Sequence, residues 1–391
     1  MRDGKLVAGQ IGCGGFARDQ DIPNLKARED VVVKYCCDAF AASAEKAARE
    51  FDGASAVTDY MAVLDDPEVD FVKVSTPHDM HRDIALKAAE RGKHVFCEKP
   101  MAMSLEDCWE IVRAVKKGGI RFCVDMNRRM APAMRALKAR VVAQAESPRH
   151  NPWRYVEMQR EPMFEETRTN LLVRIQDESS SYRLVHLDPA HGGGQVIGES
   201  VHWLDLACWF FAPARPVEIT GWGTARLSHG INILFSDGNA ATIVFDACGT
   251  FDYPKEMYEV TGNAALFKSM FFVENRYYGM CGEERETFPL QFDAYAGRVQ
   301  GEGFEAFMEK SRLRQQSAKD GLKASWGALG VDKGHRAMLD GFVEAVKSGG
   351  ATPCDEMAGM RAVLLSNLAI QAIRSRRAVA VPVDLYEPVF A

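Results

Sequence analysis

Lys99 is the residue best suited to proton transfer. It lies in Glu98-Lys99-Pro100, directly after the short apolar run 94–97. An amine at the carboxyl end of a parallel strand stands at the rim of a sheet, where open α/β folds bind ligands. Partial burial there lowers a lysine's pKa towards the range useful for proton transfer. Far upstream, Gly12-Cys13-Gly14-Gly15-Phe16-Ala17 follows another apolar run. Gly12 permits a tight turn, and Gly14 lets the backbone approach a pyrophosphate. The anion then rests on free amides around Gly15 and Phe16 at the start of a helix. Ala17, in place of a third glycine, stays small enough for helix–strand contact. Asp38 ends the next apolar run, placed to accept hydrogen bonds from ribose hydroxyls and to repel a 2′-phosphate. That favours NAD over NADP, although an aspartate also opens many loops.

A second set lies further on. Glu199, His202 and Asp205 recur at three-residue spacing after Gly192-Gly193-Gly194. On a helix they share one face, beside an apolar face of Val201, Leu204, Cys208 and Phe211. A carboxylate beside His202 fixes its tautomer and raises its pKa, which suits acid–base work near neutrality. The plainer alternative is a polar helix face meeting solvent. Thr76-Pro77-His78 follows the fourth apolar run, with His81 three residues later. Pro77 fixes a loop passing near a nicotinamide; His78 and His81 reach cofactor or substrate, or simply cap the next helix.

The elements that must position these residues are legible in part. Runs at 5–11, 31–37, 54–58, 71–75, 94–97 and 120–124 read as strands. Helical stretches at about 17–27, 41–51, 79–91 and 105–117 alternate with them. This is the pattern of parallel βαβ units. Beyond about residue 150 the texture changes: 217–220, 231–235, 241–245, 258–261 and 266–269 read as strands. Ser236-Asp237-Gly238-Asn239 and Gly262-Asn263 supply hairpin turns. Residues 275–330 are poorly periodic and read as an insertion or covering loops. Helices are expected at 335–347 and 357–374, then a strand at 378–383.

Together these residues resemble the glucose–fructose oxidoreductase/inositol dehydrogenase (Gfo/Idh/MocA) family. The resemblance rests on the glycine turn, Asp38, Thr76-Pro77 with His81, Gly92-Lys93-His94-Val95, Glu98-Lys99-Pro100, Asn127-Arg128-Arg129-Met130, and the GGG…H-x-x-D run ending in His202 and Asp205. It implies a Rossmann domain over 1–126 that binds NAD. An α/β domain over 127–391 would follow, with a large open, mainly antiparallel sheet carrying the substrate and a homo-oligomer contact. It implies that Lys99 and His202 are the catalytic pair. Thr76, Pro77, His81, Glu98, Lys99 and Asn127 then join the glycine turn and Asp38 at the cofactor. Many members carry an aspartate four residues before the histidine; here that position is Gly198, with Glu199 beside it. Arg128, Tyr182, His191, Glu199 and Asp205 are the substrate candidates.

Composition narrows the partners. The 391 residues carry a formal net charge of −6, which gives no electrostatic reason to expect nucleic acid or an acidic membrane. No run approaches the length needed to cross a bilayer, and no signal-like segment opens the chain. Ten cysteines without zinc spacing, several inside apolar runs, read as reduced core thiols of a cytoplasmic protein. His186 and His191 flank Asp188-Pro189 without a defined ligand spacing, so no metal is assigned. The expected activity is NAD-dependent oxidation of a secondary hydroxyl of a sugar, glycoside or cyclitol. Two rivals stand beside it: an NAD-retaining glycosidase or lyase working through transient oxidation, and a sensor that only binds.

Overall fold

Six apolar segments pair in parallel: β1 (Leu6–Ile11), β2 (Val31–Cys37), β3 (Ser55–Val57), β4 (Phe71–Val74), β5 (His94–Cys97) and β6 (Phe122–Val124). Their order in the sheet is β3-β2-β1-β4-β5-β6. Every residue of β1 and β4 is buried, as the central strands of a sheet covered on both faces must be. The computed structural model describes residues 4–146, 168–177, 187–188, 190–251, 253–279, 284–290, 301–319 and 330–382.

Helices follow the strands in turn. Ser104 caps Leu105–Gly118 by accepting from Asp107 N, and Gly119 ends it at φ 61°. Helix His335–Ser348, from late in the chain, packs beneath the same sheet. Its Phe342 ring stacks on Phe96 at 5.3 Å and meets Phe71 edge-on at 5.4 Å. The first compact unit therefore combines the stretch up to Asn127 with a segment ending at Asp205 and the segment His335–Asn367. A single cut at 126/127 does not describe it, because two later segments fall in the same compact unit.

The second unit holds nine strands: β7 (Asn170–Gln176), β8 (Pro216–Gly223), β9 (His229–Phe235), β10 (Ala240–Asp246), β11 (Glu256–Gly262), β12 (Ala265–Met270), β13 (Glu274–Tyr278), β14 (Arg285–Thr287) and β15 (Val379–Ala380). They lie in the order β14-β13-β12-β11-β7-β10-β9-β8-β15. Only β7 and β10 run parallel; the other pairs are antiparallel. The β11–β12 hairpin turns through Asn263 and Ala264, both at positive φ.

Residues 275–330 are not simply covering loops. They contain most of β13, all of β14 and a helix, Gly303–Lys319. The strand signal is masked because two consecutive polar residues of β13 are buried, one on each face of the sheet. Glu274 is fully buried, held by Arg276 Nε at 2.6 Å and Arg285 Nη2 at 2.8 Å. Asn275, also fully buried, donates to the Ala133 carbonyl at 2.8 Å. The Glu274 carboxylate is paired at both oxygens, and Asn275 is tied through its amide nitrogen. The nine described cysteines are free thiols, eight of them buried, and among the described residues no helix is long and apolar enough to cross a membrane.

Candidate active site

The glycine turn leaves β1 at the point where the sheet order reverses between β1 and β4, the crevice where doubly wound folds hold ligands. Gly12 adopts φ +90°, and a Cβ there would sit 2.4 Å from the Ser75 carbonyl oxygen. Only glycine lets the two loops approach so closely. At Gly14 and Gly15 a Cβ would meet nothing within 4 Å, which is the open ground a pyrophosphate needs. Ala17 is buried against the sheet at the first helical turn, and Phe16 stays 42% exposed. Asp38 braces the turn: its carboxylate accepts from Cys13 N at 2.8 Å and from Phe40 N at 2.9 Å. A carboxylate has about four lone-pair directions, so directions remain for ribose hydroxyls. These residues fit a dinucleotide.

Lys99 stands two residues beyond β5. Its Nζ donates to the Gly198 carbonyl at 2.6 Å and to Glu199 Oε1 at 3.0 Å. Lysine and glutamate side chains are 15% and 23% exposed, a partly buried pair at the edge of solvent. The residue reaching Lys99 is Glu199 because Val196–Ser200 forms a π turn before the α-helix Val201–Phe211. A π turn takes in one more residue than an α turn. The carboxylate missing at 198 is thus supplied from 199. His202 lies one turn further on the same helix, 6% exposed, its ring edge-on to Trp203 at 6.2 Å. The structure therefore brings Lys99 together with the helix that carries His202.

Several expected ligand contacts are instead internal. Glu98 turns into the core and accepts from Lys73 Nζ at 2.5 Å; Lys73 also reaches Asp21 Oδ1 at 3.2 Å. Ser75 Oγ donates to the same aspartate. Burial pushes Glu98 up to about 7, with Lys73 opposing and Asp125 adding to the rise. Burial also raises Asp21. These three carboxylates lie close enough to share a cation, and the Lys73 ammonium is that cation. Asp125 Oδ2 accepts from His335 Nδ1 at 3.2 Å. Asn127, expected at the cofactor, is fully buried, with its amide nitrogen 3.2 Å from His335 Nε2. His81 is likewise fully buried, so it does not line a ligand site as expected. Its nitrogens face the Pro100 and Thr76 carbonyls at 2.7 and 3.0 Å.

The substrate candidates divide. Glu199 is at the site, whereas Asp205 is 1% exposed and packed inside its helix layer. Arg128, in the second unit, closes a bidentate fork on the fully buried Glu256 at 2.8 and 2.7 Å. Its guanidinium is a structural counter-ion rather than a substrate hook. His191 is exposed and paired with Asp188 at 3.0 Å. Tyr182 and His186 lie outside the described residues. His78 takes a definite place, with Nδ1 3.2 Å from the Gly192 carbonyl, which ties the Thr76-Pro77 loop to the second glycine run. Lys73, Asp21, Asp125 and His335 gave no sequence signal, since each reads alone as an ordinary polar residue.

Residues 7–126 match the model of an oxidoreductase family with an NAD-binding Rossmann fold. Over this domain the chain is similar to the Gfo/Idh/MocA oxidoreductases. A levoglucosan dehydrogenase of Pseudarthrobacter phenanthrenivorans is 39% identical over 95 residues, 24% of either chain. A 1,5-anhydro-D-fructose reductase of Ensifer adhaerens is 38% identical over 130 residues, 33% of this chain and 39% of the reductase. The match thus spans well under two thirds of these relatives. A solved levoglucosan dehydrogenase, in complex with NADH and levoglucosan, superposes with a TM-score of 0.73 at 17% identity, covering 97% of this chain and 100% of that one. That likeness extends the fold over both units.

Proposed function

We propose that the protein is an NAD-dependent dehydrogenase oxidising a secondary hydroxyl of a sugar, glycoside or cyclitol. The observation that carries this reading is the Lys99–Glu199 pair, set at the carboxyl edge of a dinucleotide-binding sheet and one helical turn before His202. A protein that only senses NAD needs no such amine. The relatives named for levoglucosan and 1,5-anhydro-D-fructose support a sugar as substrate. Bound on the glycine turn, NAD supplies the hydride acceptor. The protein supplies orientation and proton handling. Gly198 O and Glu199 hold two of the three ammonium hydrogens of Lys99, leaving one direction for the substrate hydroxyl. Lys99 and His202 share the hydroxyl proton, one accepting it and the other donating a hydrogen bond. Asp38 favours NAD over NADP by charge. The exposed face of the nine-stranded sheet is the proposed contact with a second copy of the chain.

Following NADH absorbance across sugars, inositols and glycosides tests the activity. Lys99→Ala should lower kcat by roughly 10²- to 10⁴-fold, the range of acid–base contributions. Its Kd for NADH should stay within about threefold, because no contact to the glycine turn is lost. Near-normal turnover in that variant would end the assignment. Release of aglycone without net NADH would favour the redox-neutral glycosidase or lyase.

A further inference from the structure

His81 is a buried polar residue with two acceptors and, when neutral, one hydrogen to give. Its ring is fully buried. Nδ1 lies 2.7 Å from the Pro100 carbonyl and Nε2 lies 3.0 Å from the Thr76 carbonyl. Carbonyl oxygens only accept, so both contacts are satisfied only by an imidazolium. Burial holds the ring below the usual histidine pKa, with both carbonyls opposing the shift. Of the charged groups facing it, Glu98 favours the proton and Lys73 disfavours it; the His78 ring lies 5.9 Å away. A neutral ring has a single hydrogen, and the shorter contact, at Pro100, is the one that takes it.

We infer that His81 is a positioning residue: by holding the Pro100 carbonyl it fixes the chain one residue beyond Lys99, and so sets where the amine stands. The second nitrogen joins the Thr76-Pro77 loop to the same anchor only when the ring is protonated. One histidine thus links the loop after β4 to the loop after β5. The inference rests on the role proposed for Lys99. A misplacement of about 1 Å at a reacting group costs on the order of 100-fold in rate, so the anchor has a kinetic consequence without touching substrate.

Two conservative variants separate the arms. An asparagine amide nitrogen stands where Nδ1 stands, and a glutamine amide nitrogen near Nε2. His81→Asn should keep kcat within a few-fold of the unsubstituted protein. His81→Gln and His81→Leu should lose roughly 10- to 100-fold in kcat, with the Kd for NADH changed less than about threefold. Lys99→Ala is measured beside them. If Lys99→Ala keeps its turnover, the catalytic reading fails. If Lys99→Ala loses turnover while His81→Leu does not, the positioning role alone fails. Equal kcat in the Asn and Gln variants would also overturn it, because a purely structural role has no reason to distinguish them. Should His81→Leu not fold, the Asn and Gln pair decides the question.

Discussion

At the scale of single residues, the site is organised around which carboxylate meets Lys99. Glu199 does so from the π turn, while position 198 faces another way. A Cβ added at Gly198 would lie 3.5 Å from His78 Cε1 and 3.6 Å from the Gly192 carbonyl. Glu199→Gln keeps the shape and removes the charge. It should lower kcat by about tenfold or more, on the strength of lost orientation, and leave NADH binding unchanged. Adding Gly198→Asp to that variant should not restore turnover, because the new carboxylate would point at His78. Recovery in the double variant would show that the register of the π turn is not what places the charge. Steady-state kinetics with the best substrate of the panel decides between these outcomes.

At the scale of elements, the first sheet was legible because its strands are apolar runs separated by helices of ordinary length, and a glycine turn marks the crossover. Asp38 and Lys99 follow from strand ends alone. The π turn was not legible: a helix's hydrogen-bonding period leaves no trace in an apolar pattern, so the spacing of Glu199 and His202 suggested one α-helical face. Residues such as Glu98 and Asn127 carry the right motif but turn inward, and only the Lys73 and His335 contacts reveal it. The β9–β10 pair holds another inward histidine. His229 is 3% exposed, its ring stacked on Phe245 at 5.2 Å. Burial pushes its pKa down to about 4 from the usual 6.5. The folded ring is neutral, whereas the unfolded ring takes a proton near its ordinary pKa. Its contribution to stability is therefore full above about pH 6.5 and is lost as pH falls towards 4, about 3 kcal/mol in all. His229→Phe keeps the stack without the titration. Urea midpoints at pH 7 and pH 4 should show a smaller acid loss in the variant, and equal losses would refute the assignment.

At the scale of the whole molecule, the second unit's sheet is buried on one face and open over much of the other. Ile219, Ile231, Ile233, Ile243 and Val173 point to the covered face and are fully or nearly fully buried. On the opposite face, Leu172, Trp222, Leu234 and Tyr278 are 41%, 49%, 42% and 42% exposed. Between them runs a polar ladder across three strands. Asn232 donates to Thr220 Oγ1 at 3.3 Å, and Thr242 Oγ1 donates to Asn232 Oδ1 at 2.9 Å. These exposed apolar side chains suit the contact with a second copy proposed above. A second copy offers the same face, as a twofold contact requires. A stable dimer buries about 1,200–2,000 Å² in total, an area that a sheet of this width can supply. Trp222→Glu with Leu234→Asp places carboxylates at two of these positions, and their repulsion across the twofold axis should lower the mass seen by light scattering to that of one chain at micromolar concentration. NADH binding should survive, because the substitutions lie in the second unit and the glycine turn belongs to the first. An unsubstituted protein that already runs as a monomer would refute the contact, as would a double variant whose mass does not change.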